Sequence, residues 1–265
     1  MRRGDVMDLL LKGQTVLITG ASQGIGLGLA EVFASEGCDL HLVARSEGKL
    51  KEISDDLSKR YRVDTAVHGI DLEEPGASEK IVSEVGDVDV LINNAGAIPG
   101  GTLWDVDEPR WRQGWEVKVF GYINLTRLVY QRMKKRECGV ILNNIGNGGE
   151  NFDSNYIAGT TGNAALMAFT RALGGRSLDD GVRVLGINPG PVSTDRIIKI
   201  QKSRAKERFG DEERYKELLA SYPLGRAAHV REVADLFAFL ASPRSSYTSG
   251  TIITVDGGLT SRRSI

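Results

Sequence analysis

Seven short apolar runs, each rich in β-branched residues, alternate with amphipathic stretches along the whole chain. Runs that are apolar on both faces are typical of parallel strands covered by helices on each side. Alternation of strand and helix from end to end predicts a doubly wound α/β sheet with right-handed crossovers. The predicted strands span residues 15–19, 39–44, 62–68, 88–93, 139–144, 183–188 and 251–255. The predicted helices span residues 24–36, 47–60, 73–85, 108–136, 153–178 and 230–241.

One segment, residues 196–222, interrupts this alternation between the sixth and seventh strands. No proline- or serine-rich linker breaks the 265-residue chain, so we predict one domain over residues 1–265. The segment 196–222 is long, charged and predicted to be helical, and insertions of this kind often cover the ligand site of an open α/β sheet. Its basic residues outnumber its acidic ones. It is either a solvated helix face or a basic rim that attracts an anionic substrate.

Overall composition excludes several classes of protein. A formal net charge of −1 gives no electrostatic reason to bind nucleic acid or an anionic membrane. The two cysteines, Cys38 and Cys138, match neither a metal-binding spacing nor a disulfide framework. The apolar patch at residues 9–11 is too short for a signal peptide or a membrane span. We therefore expect a cytoplasmic protein with no metal site.

A glycine-rich turn follows the first predicted strand and opens the first predicted helix, in the stretch TVLITGASQGIGLGLA. Glycine lets the chain turn tightly, lets backbone N–H groups approach a pyrophosphate, and lets the helix pack close to the sheet. The helix N-terminus adds partial positive charge for phosphate groups. The turn predicts a dinucleotide cofactor, held by Gly20, Ser22, Gly24, Ile25 and Gly26.

The end of the second strand indicates which dinucleotide is bound. A site for NAD(H) places an acidic residue there, whereas this chain has Ala44, Arg45 and Ser46. A guanidinium can bind a 2′-phosphate bidentately and a serine can donate to it, so we predict NADP(H) in preference to NAD(H). Gln23, in the glycine turn, supplies no second cation. Asp71, after the third strand, is either an acceptor for the adenine amino group or the N-cap of the next helix.

Several motifs occur together in the order seen in the short-chain dehydrogenase/reductase family, which the whole chain resembles. They are TGASQGIG, NNAG (93–96), a tyrosine after the fifth strand, NPGPVSTD (188–195), PLGR (223–226) and VDGG (255–258). The resemblance implies a Rossmann-type fold of seven parallel strands and nicotinamide-dependent hydride transfer at a carbonyl or alcohol carbon. It also implies that the cofactor's adenosine ribose and nicotinamide are lined by Asn94, Ala95, Gly96, Pro189, Gly190 and Thr194.

Only one of the four catalytic residues usual in the resembled family is in its place. Tyr156 stands where the family has its proton-transferring tyrosine. Thr160 replaces the lysine, Gly146 the serine, and Lys118 the asparagine. A tyrosine without a neighbouring cation titrates near ~10 and stays protonated at neutral pH. That form donates a proton to a carbonyl oxygen, so an active site built on Tyr156 is expected to favour reduction.

Two residues are candidates to replace the missing groups. The ammonium of Lys118 either takes over the charge of the missing lysine or faces solvent or another subunit, with its stem packed across an apolar turn. Asn143, Asn144 and Asn147 could each donate a hydrogen bond to the substrate oxygen, and we favour Asn147 because it lies past the strand end. Each asparagine also suits a loop in which it satisfies backbone groups.

Three functions remain open after the sequence has been read. The first is NADP(H)-dependent reduction of a carbonyl, or oxidation of the corresponding alcohol, and we favour it because the cofactor site is complete and Tyr156 is retained. The second is a non-catalytic dinucleotide-binding protein, and the third a lyase or isomerase on the same fold. The resemblance also implies a homo-oligomer, a tetramer or a dimer.

Overall fold

The strands predicted from the sequence form one parallel sheet in the computed structural model, which describes residues 7–96 and 98–263. Within these residues the strands are β1 (Thr15–Thr19), β2 (Asp39–Ala44), β3 (Thr65–Gly69), β4 (Val90–Asn93), β5 (Gly139–Asn144), β6 (Val182–Pro189) and β7 (Ile252–Val255). Their order across the sheet is β3-β2-β1-β4-β5-β6-β7, and every neighbouring pair is parallel. This confirms the predicted Rossmann-type fold.

Helices cover both faces of this sheet. In the described part of the chain they are α1 (Gly24–Ser35), α2 (Glu47–Tyr61), α3 (Ala77–Val85), α4 (Glu108–Trp115), α5 (Gly121–Arg136), α6 (Ile157–Gly174), α7 (Asp195–Phe209), α8 (Tyr215–Ala220) and α9 (Val230–Ala241). Successive residues of β1 show the two-sided burial. Leu17 packs into the core on one face and Ile18 into the core on the other, and both are fully buried.

Several element boundaries differ from the sequence prediction, among them the starts of β3, α3 and α6. β3 begins three residues later than predicted because Arg62 ends α2 in the left-handed conformation, with a φ of 59°. α3 begins at Ala77, after Gly76, whose φ of +79° is incompatible with the middle of a helix. α6 begins at Ile157, so Tyr156 is its N-cap and lies outside the helix proper.

The helix predicted over residues 108–136 is interrupted by one π-helical turn. This turn, Glu116–Phe120, joins α4 to α5 without a loop. A π turn widens the helix by one residue and is frequently found at functional sites. It carries Lys118, which stands where the resembled family has its catalytic asparagine.

The sheet has its switch point between β1 and β4. From β1 the chain runs outward to β2 and β3, then returns to place β4 on the other side of β1. In open α/β sheets, ligands bind outside the carboxyl ends of the two strands at such a point. The segment 196–222, which contains most of α7 and α8, follows β6 along the chain. No helix in the described ranges is long and apolar enough to cross a bilayer.

Candidate active site

The glycine turn lies at the switch point, and its geometry requires glycine at three positions. Gly20 and Gly24 have φ values of +68° and +56°, a region that side-chain-bearing residues rarely adopt. A Cβ at Gly26 would lie 2.1 Å from the Gly20 carbonyl oxygen. Gly26 therefore lets α1 pack close to the turn, whereas Gly20 and Gly24 supply its backbone conformation.

The N-terminus of α1 suits a phosphate group. Its N-cap is Gln23, which makes no side-chain hydrogen bond to the helix, and its first turn contains no acidic residue. Backbone N–H groups of that turn, which includes Ile25, are left to an anion. Thr194 approaches the same turn, because a Cβ at Gly24 would lie 3.4 Å from its methyl carbon. The structure thus brings the end of β6 to the predicted cofactor turn.

The segment after β4 is fixed to the glycine turn by side-chain hydrogen bonds. Asn94 donates through Nδ2 to the carbonyl oxygens of Thr19 (2.9 Å) and Gly20 (3.2 Å). The Thr19 hydroxyl accepts from the backbone N–H groups of Asn94 and Ala95. Gly96 contacts the stem of Lys118, since a Cβ there would lie 2.8 Å from the lysine Cδ. Asn94, Ala95 and Gly96 therefore line the crevice at the switch point.

Arg45 and Ser46 lie at the end of β2, on the surface beside this crevice. The Arg45 side chain is 71% exposed and its Nη1 lies 3.9 Å from a carboxylate oxygen of Asp71. Ser46 is the N-cap of α2 and makes no side-chain capping bond, so its hydroxyl is open to a ligand. Asp71 accepts from the backbone N–H of Glu73, and the N-cap of α3 is Gly76. The N-cap alternative for Asp71 is therefore wrong.

Residues at the end of β6 meet the C-terminal segment. Pro189 ends the strand, and a Cβ at Gly190 would lie 2.6 Å from the Cβ of Asp256. Asn147 donates through Nδ2 to the carboxylate of Asp256 (3.3 Å) and the hydroxyl of Thr260 (3.4 Å). The predicted hydrogen-bond donor is thus engaged with this segment.

The other two asparagine candidates have structural partners. Asn143 is fully buried, accepts from Asn93 and donates to Thr170 at 2.9 Å. Asn144 donates to the side-chain oxygen of Asn94 at 2.7 Å. Asn143 lies within the core between the strands and α6, so its assignment as a possible substrate ligand is wrong.

Tyr156 lies against the start of α6 with its ring held by small residues. A Cβ at Gly159 would collide with the phenol ring, and one at Gly148 would lie 3.5 Å from it. The ring packs in an apolar cluster with Ile98 and Ala158. Burial raises the pKa of Tyr156, and the guanidinium of Arg196 acts in the opposite direction by its charge and a hydrogen bond. The balance keeps the phenol protonated at neutral pH.

Gly146 and Thr160, which we predict to stand in place of the family's serine and lysine, lack a side-chain hydroxyl and a charge, respectively. Gly146 has a φ of +122°, a conformation that a serine would adopt only with strain. Thr160 is 8% exposed and its hydroxyl has no hydrogen-bond partner among the described residues. α6 therefore presents no charge toward Tyr156 from position 160.

Lys118 is partly buried and points into the protein. Its Nζ donates to the backbone carbonyl of Ile145, just after β5, at 2.5 Å. Burial of the ammonium lowers the pKa of Lys118 to about 7, and the nearby charge of Arg196 lowers it as well. The solvent-facing alternative is therefore wrong for this lysine. That the Lys118 ammonium takes over the charge of the family's missing lysine stays a prediction.

Sequence reasoning did not assign Arg196 to this site. It lies in the first turn of α7, and its Nη2 donates to the carbonyl oxygen of Ile98 at 3.3 Å. The sequence shows Arg196 only as one cation of a basic segment, 40 residues after Tyr156. The sequence did contain one indication that Arg196 lies near the site, because it follows Thr194, a predicted nicotinamide contact, by two residues.

A polar cleft of about 850 Å³ lies beside the Tyr156 backbone. Gly101 pairs with Tyr156 in a parallel bridge and donates to the carbonyl oxygen of Asn155, and both Gly101 and Asn155 line the cleft. The opposite wall comes from α7 and the α8 region. The remaining lining residues are Asp105, Gln201, Arg204, Glu207, Arg208, Leu218, Ser221 and Tyr222.

Comparison with known proteins gives full-length matches. Residues 20–260 match the family model described as enoyl-(acyl carrier protein) reductase. The oxidoreductase UcpA of Salmonella typhimurium is 34% identical, with 96% of this chain and 97% of the relative covered. The 3-oxoacyl-[acyl-carrier-protein] reductase FabG of the same organism is 31% identical, with 94% and 98% covered.

A solved structure with the same fold contains both a cofactor and a substrate. L-sorbose reductase from Gluconobacter frateurii, in complex with NADPH and L-sorbose, superimposes with a TM-score of 0.88. It is 33% identical in sequence, and the match covers 96% of this chain and 99% of that one.

Proposed function

Because the chain belongs to the short-chain dehydrogenase/reductase family, we propose that it reduces a small-molecule carbonyl compound at the expense of NADPH. Membership makes the protein an oxidoreductase enzyme that uses a nicotinamide dinucleotide. The observation that carries the proposal is the phenol of Tyr156, packed against apolar side chains at the carboxyl ends of the strands, where the glycine turn also lies.

The residues around the switch point suit a dinucleotide. The first turn of α1 would hold the pyrophosphate, with Ser22 and Ile25 in the turn itself. Arg45 and Ser46 would hold a 2′-phosphate, and Asp71 would accept from the adenine amino group. Pro189, Gly190 and Thr194 would flank the nicotinamide. The exposed Arg45 guanidinium favours NADP(H) over NAD(H), and the NADPH-bound sorbose reductase agrees with that choice.

Tyr156 is the proton donor in this proposal. The reduced nicotinamide, when bound, supplies the hydride that reaches the carbonyl carbon. The phenol O–H bond breaks as an O–H bond forms on the substrate oxygen, and water later returns a proton to the phenolate. Since burial raises the pKa of Tyr156, the donating form predominates at neutral pH and the accepting form is scarce. Reduction is thereby favoured over alcohol oxidation.

Lys118 and Asn147 have separate supporting roles in the proposed reaction. In its charged form, the Lys118 ammonium would stabilise negative charge that develops at the site, although the carbonyl of Ile145 already accepts from it. Asn147 would donate its amide to the substrate oxygen after exchanging its contact with Asp256, which at 3.3 Å is a long hydrogen bond.

The cleft suggests the substrate class. Its walls present hydroxyl, amide, carboxylate and guanidinium groups from Asn155, Gln201, Arg204, Ser221 and Tyr222, among others. Such a lining suits a hydroxylated carbonyl compound, and sorbose, the ligand of the sorbose reductase, is of that class. The segment 196–222 would cover this substrate. Arg204 and Arg208 suit a substrate that carries an acidic group, for which Asp105 and Glu207 are opposing charges.

The assembly and location of the enzyme are part of the same proposal. We propose that the enzyme is cytoplasmic and has one domain per chain. The family resemblance implies a homo-oligomer, a tetramer or a dimer. Size-exclusion chromatography with light scattering measures the subunit number directly.

The test is consumption of NADPH or NADH with a panel of ketoses and their sugar-acid counterparts. NADPH is expected to be the better cofactor, and Tyr156→Phe is expected to reduce kcat by about 100-fold or more without weakening NADPH binding. Tyr247→Phe, at a side chain that is 97% exposed, is the matched control. Full activity of Tyr156→Phe would remove the proposed proton donor.

A further inference from the structure

Arg196 is a cation close enough to the proposed proton donor for its charge to lower the pKa of the phenol. Its Nη2 donates to the carbonyl oxygen of Ile98, and Ile98 packs in the same cluster as the Tyr156 ring. α7 begins at Asp195, so the guanidinium projects from the first turn of the helix that borders the cleft. The fold thus delivers a positive charge to the phenol from an element other than α6.

Neither Thr160 nor Lys118 supplies a constant positive charge to the phenol. Thr160 is neutral, buried, and without a hydrogen-bond partner among the described residues. The Lys118 ammonium is held by the carbonyl oxygen of Ile145, and with a pKa of about 7 it is partly neutral at physiological pH. A guanidinium, by contrast, keeps its charge and its fixed donors across this range. Arg196 is the cation that can act on the phenol throughout.

We propose that Arg196 is a positioning residue that holds the phenol of Tyr156 for proton transfer and stabilises the phenolate left behind. The inference rests on the proposed reduction. When the O–H bond of Tyr156 breaks, negative charge appears on the phenol oxygen, opposite the guanidinium. A charge-assisted hydrogen bond to that oxygen is stronger in the phenolate than in the phenol, so it lowers the barrier more than it tightens ground-state binding.

Because Arg196 is exposed, we expect its effect on the phenol to increase when substrate binds. The side chain is exposed, so solvent screens its charge, and burial of Tyr156 outweighs it in setting the phenol pKa. A substrate seated between α7 and Tyr156 displaces water from around both groups. The same guanidinium then acts through a lower effective dielectric, and its stabilisation of the phenolate increases.

The decisive experiment compares Arg196→Gln and Arg196→Lys with the wild-type enzyme. Arg196→Gln is expected to lower kcat by about tenfold or more while KM and NADPH binding change by less than about threefold. Arg196→Lys is expected to recover much of the loss, because it restores the charge. Arg171→Gln, at an exposed arginine in the last turn of α6, is the matched control and is expected to behave as wild type.

A second readout does not depend on turnover. In protein labelled with ¹³C at the tyrosine Cζ, the Tyr156 resonance, assigned with Tyr156→Phe, reports the ionisation of the phenol as pH rises. In Arg196→Gln the pKa of Tyr156 is expected to move upward, because the guanidinium that lowers it is removed, with Arg196→Lys between that variant and wild type.

The outcomes separate this inference from the proposed function. An unchanged Tyr156 titration in Arg196→Gln overturns the inference, and so does a variant whose loss lies entirely in KM. A wild-type enzyme that reduces no carbonyl in the panel overturns the proposed function, and the titration still decides whether Arg196 is the partner of the phenol. Circular dichroism at each pH confirms that the titrated species is folded.

Discussion

The ammonium of Lys118 donates a hydrogen bond to the backbone carbonyl of Ile145, which joins the π-helical turn to the end of β5. The lysine therefore anchors two elements that line the site, instead of extending into solvent. Its burial lowers its pKa to about 7, so the charge of this anchor changes within the physiological range. An enzyme built around this contact acquires a dependence on pH that an ordinary surface lysine would not give.

The first prediction concerns the pH dependence of activity. Lys118 is charged below its pKa of about 7 and neutral above it, so any support it gives to the reaction declines as pH rises through that value. Wild-type kcat for reduction is expected to fall between about pH 6 and pH 8 by about two- to tenfold. Lys118→Met is expected to lose this inflection. An identical pH profile in the variant would show that the charge of Lys118 plays no part in the reaction.

The second prediction concerns stability at the same residue. The folded-state pKa of Lys118, about 7, lies below its ordinary value of 10.5, so between these values the unfolded chain binds more protons than the folded one. The free energy of unfolding therefore gains from this residue as pH rises from 7 to 10.5, and the full penalty is present below 7. Lys118→Met is expected to be more stable than wild type at pH 6, by about 1 to 3 kcal/mol, and to lose that advantage by pH 10. Urea denaturation at the two pH values measures the difference.

The third prediction addresses the threonine in place of the family's lysine. The Thr160 hydroxyl is buried and has no partner among the described residues, and a buried unsatisfied hydroxyl destabilises the folded state. Thr160→Val replaces it with a methyl group of similar size and is expected to raise the free energy of unfolding by about 0.5–2 kcal/mol. Thr161→Val is the neighbouring control, because the Thr161 hydroxyl donates to the carbonyl of Ile157. Its removal is expected to lower the free energy of unfolding or leave it unchanged. A destabilised Thr160→Val would mean that the hydroxyl is satisfied in solution.

Much of the fold could be predicted because its signals are local. The bounds of β1, β2 and β5 follow from apolar runs punctuated by glycine or charged residues, and the structure has them as predicted. The glycine turn was equally visible, since Gly20, Gly24 and Gly26 each meet a local steric demand. What could not be seen was the π turn, because one extra residue in a helical turn hardly disturbs the apolar pattern of α4 and α5.

The candidate site was only partly predictable because its contacts come from distant segments. Position 156 identifies a tyrosine, but Arg196, whose charge lowers the pKa of that phenol, lies 40 residues further along the chain and donates to Ile98 from the first turn of α7. Whether Lys118 points inward or outward depends on the carbonyl of Ile145, for which the sequence has no signal. Asn143 was one of three asparagines predicted as possible ligands, and the sequence could not show that it belongs to a buried hydrogen-bond network with Asn93 and Thr170.

The fourth prediction tests cofactor choice at Arg45. Its side chain is 71% exposed beside the crevice, and its ion-pair partner within residues 7–96 and 98–263 is Asp71, at 3.9 Å. Arg45→Gln is expected to weaken NADPH binding by about tenfold and to leave NADH binding within about twofold, since only the former has a 2′-phosphate. Lys49→Gln, at an exposed lysine of α2, is the matched control. Equal losses for both cofactors would count against a 2′-phosphate contact.

The fifth prediction is that restoring the family's serine does not restore the family's chemistry. Gly146 has a φ of +122°, and a Cβ built there would lie 3.2 Å from the side-chain nitrogen of Asn163. Gly146→Ser therefore combines backbone strain with a tight contact, and it is expected to lower the free energy of unfolding by about 1–3 kcal/mol and to leave kcat no higher than wild type. Gly48→Ser, in α2, meets nothing within 4 Å and has no positive φ, so it is expected to be neutral or stabilising. A stable and more active Gly146→Ser would contradict this prediction. It would show that the backbone at position 146 accepts a serine without strain.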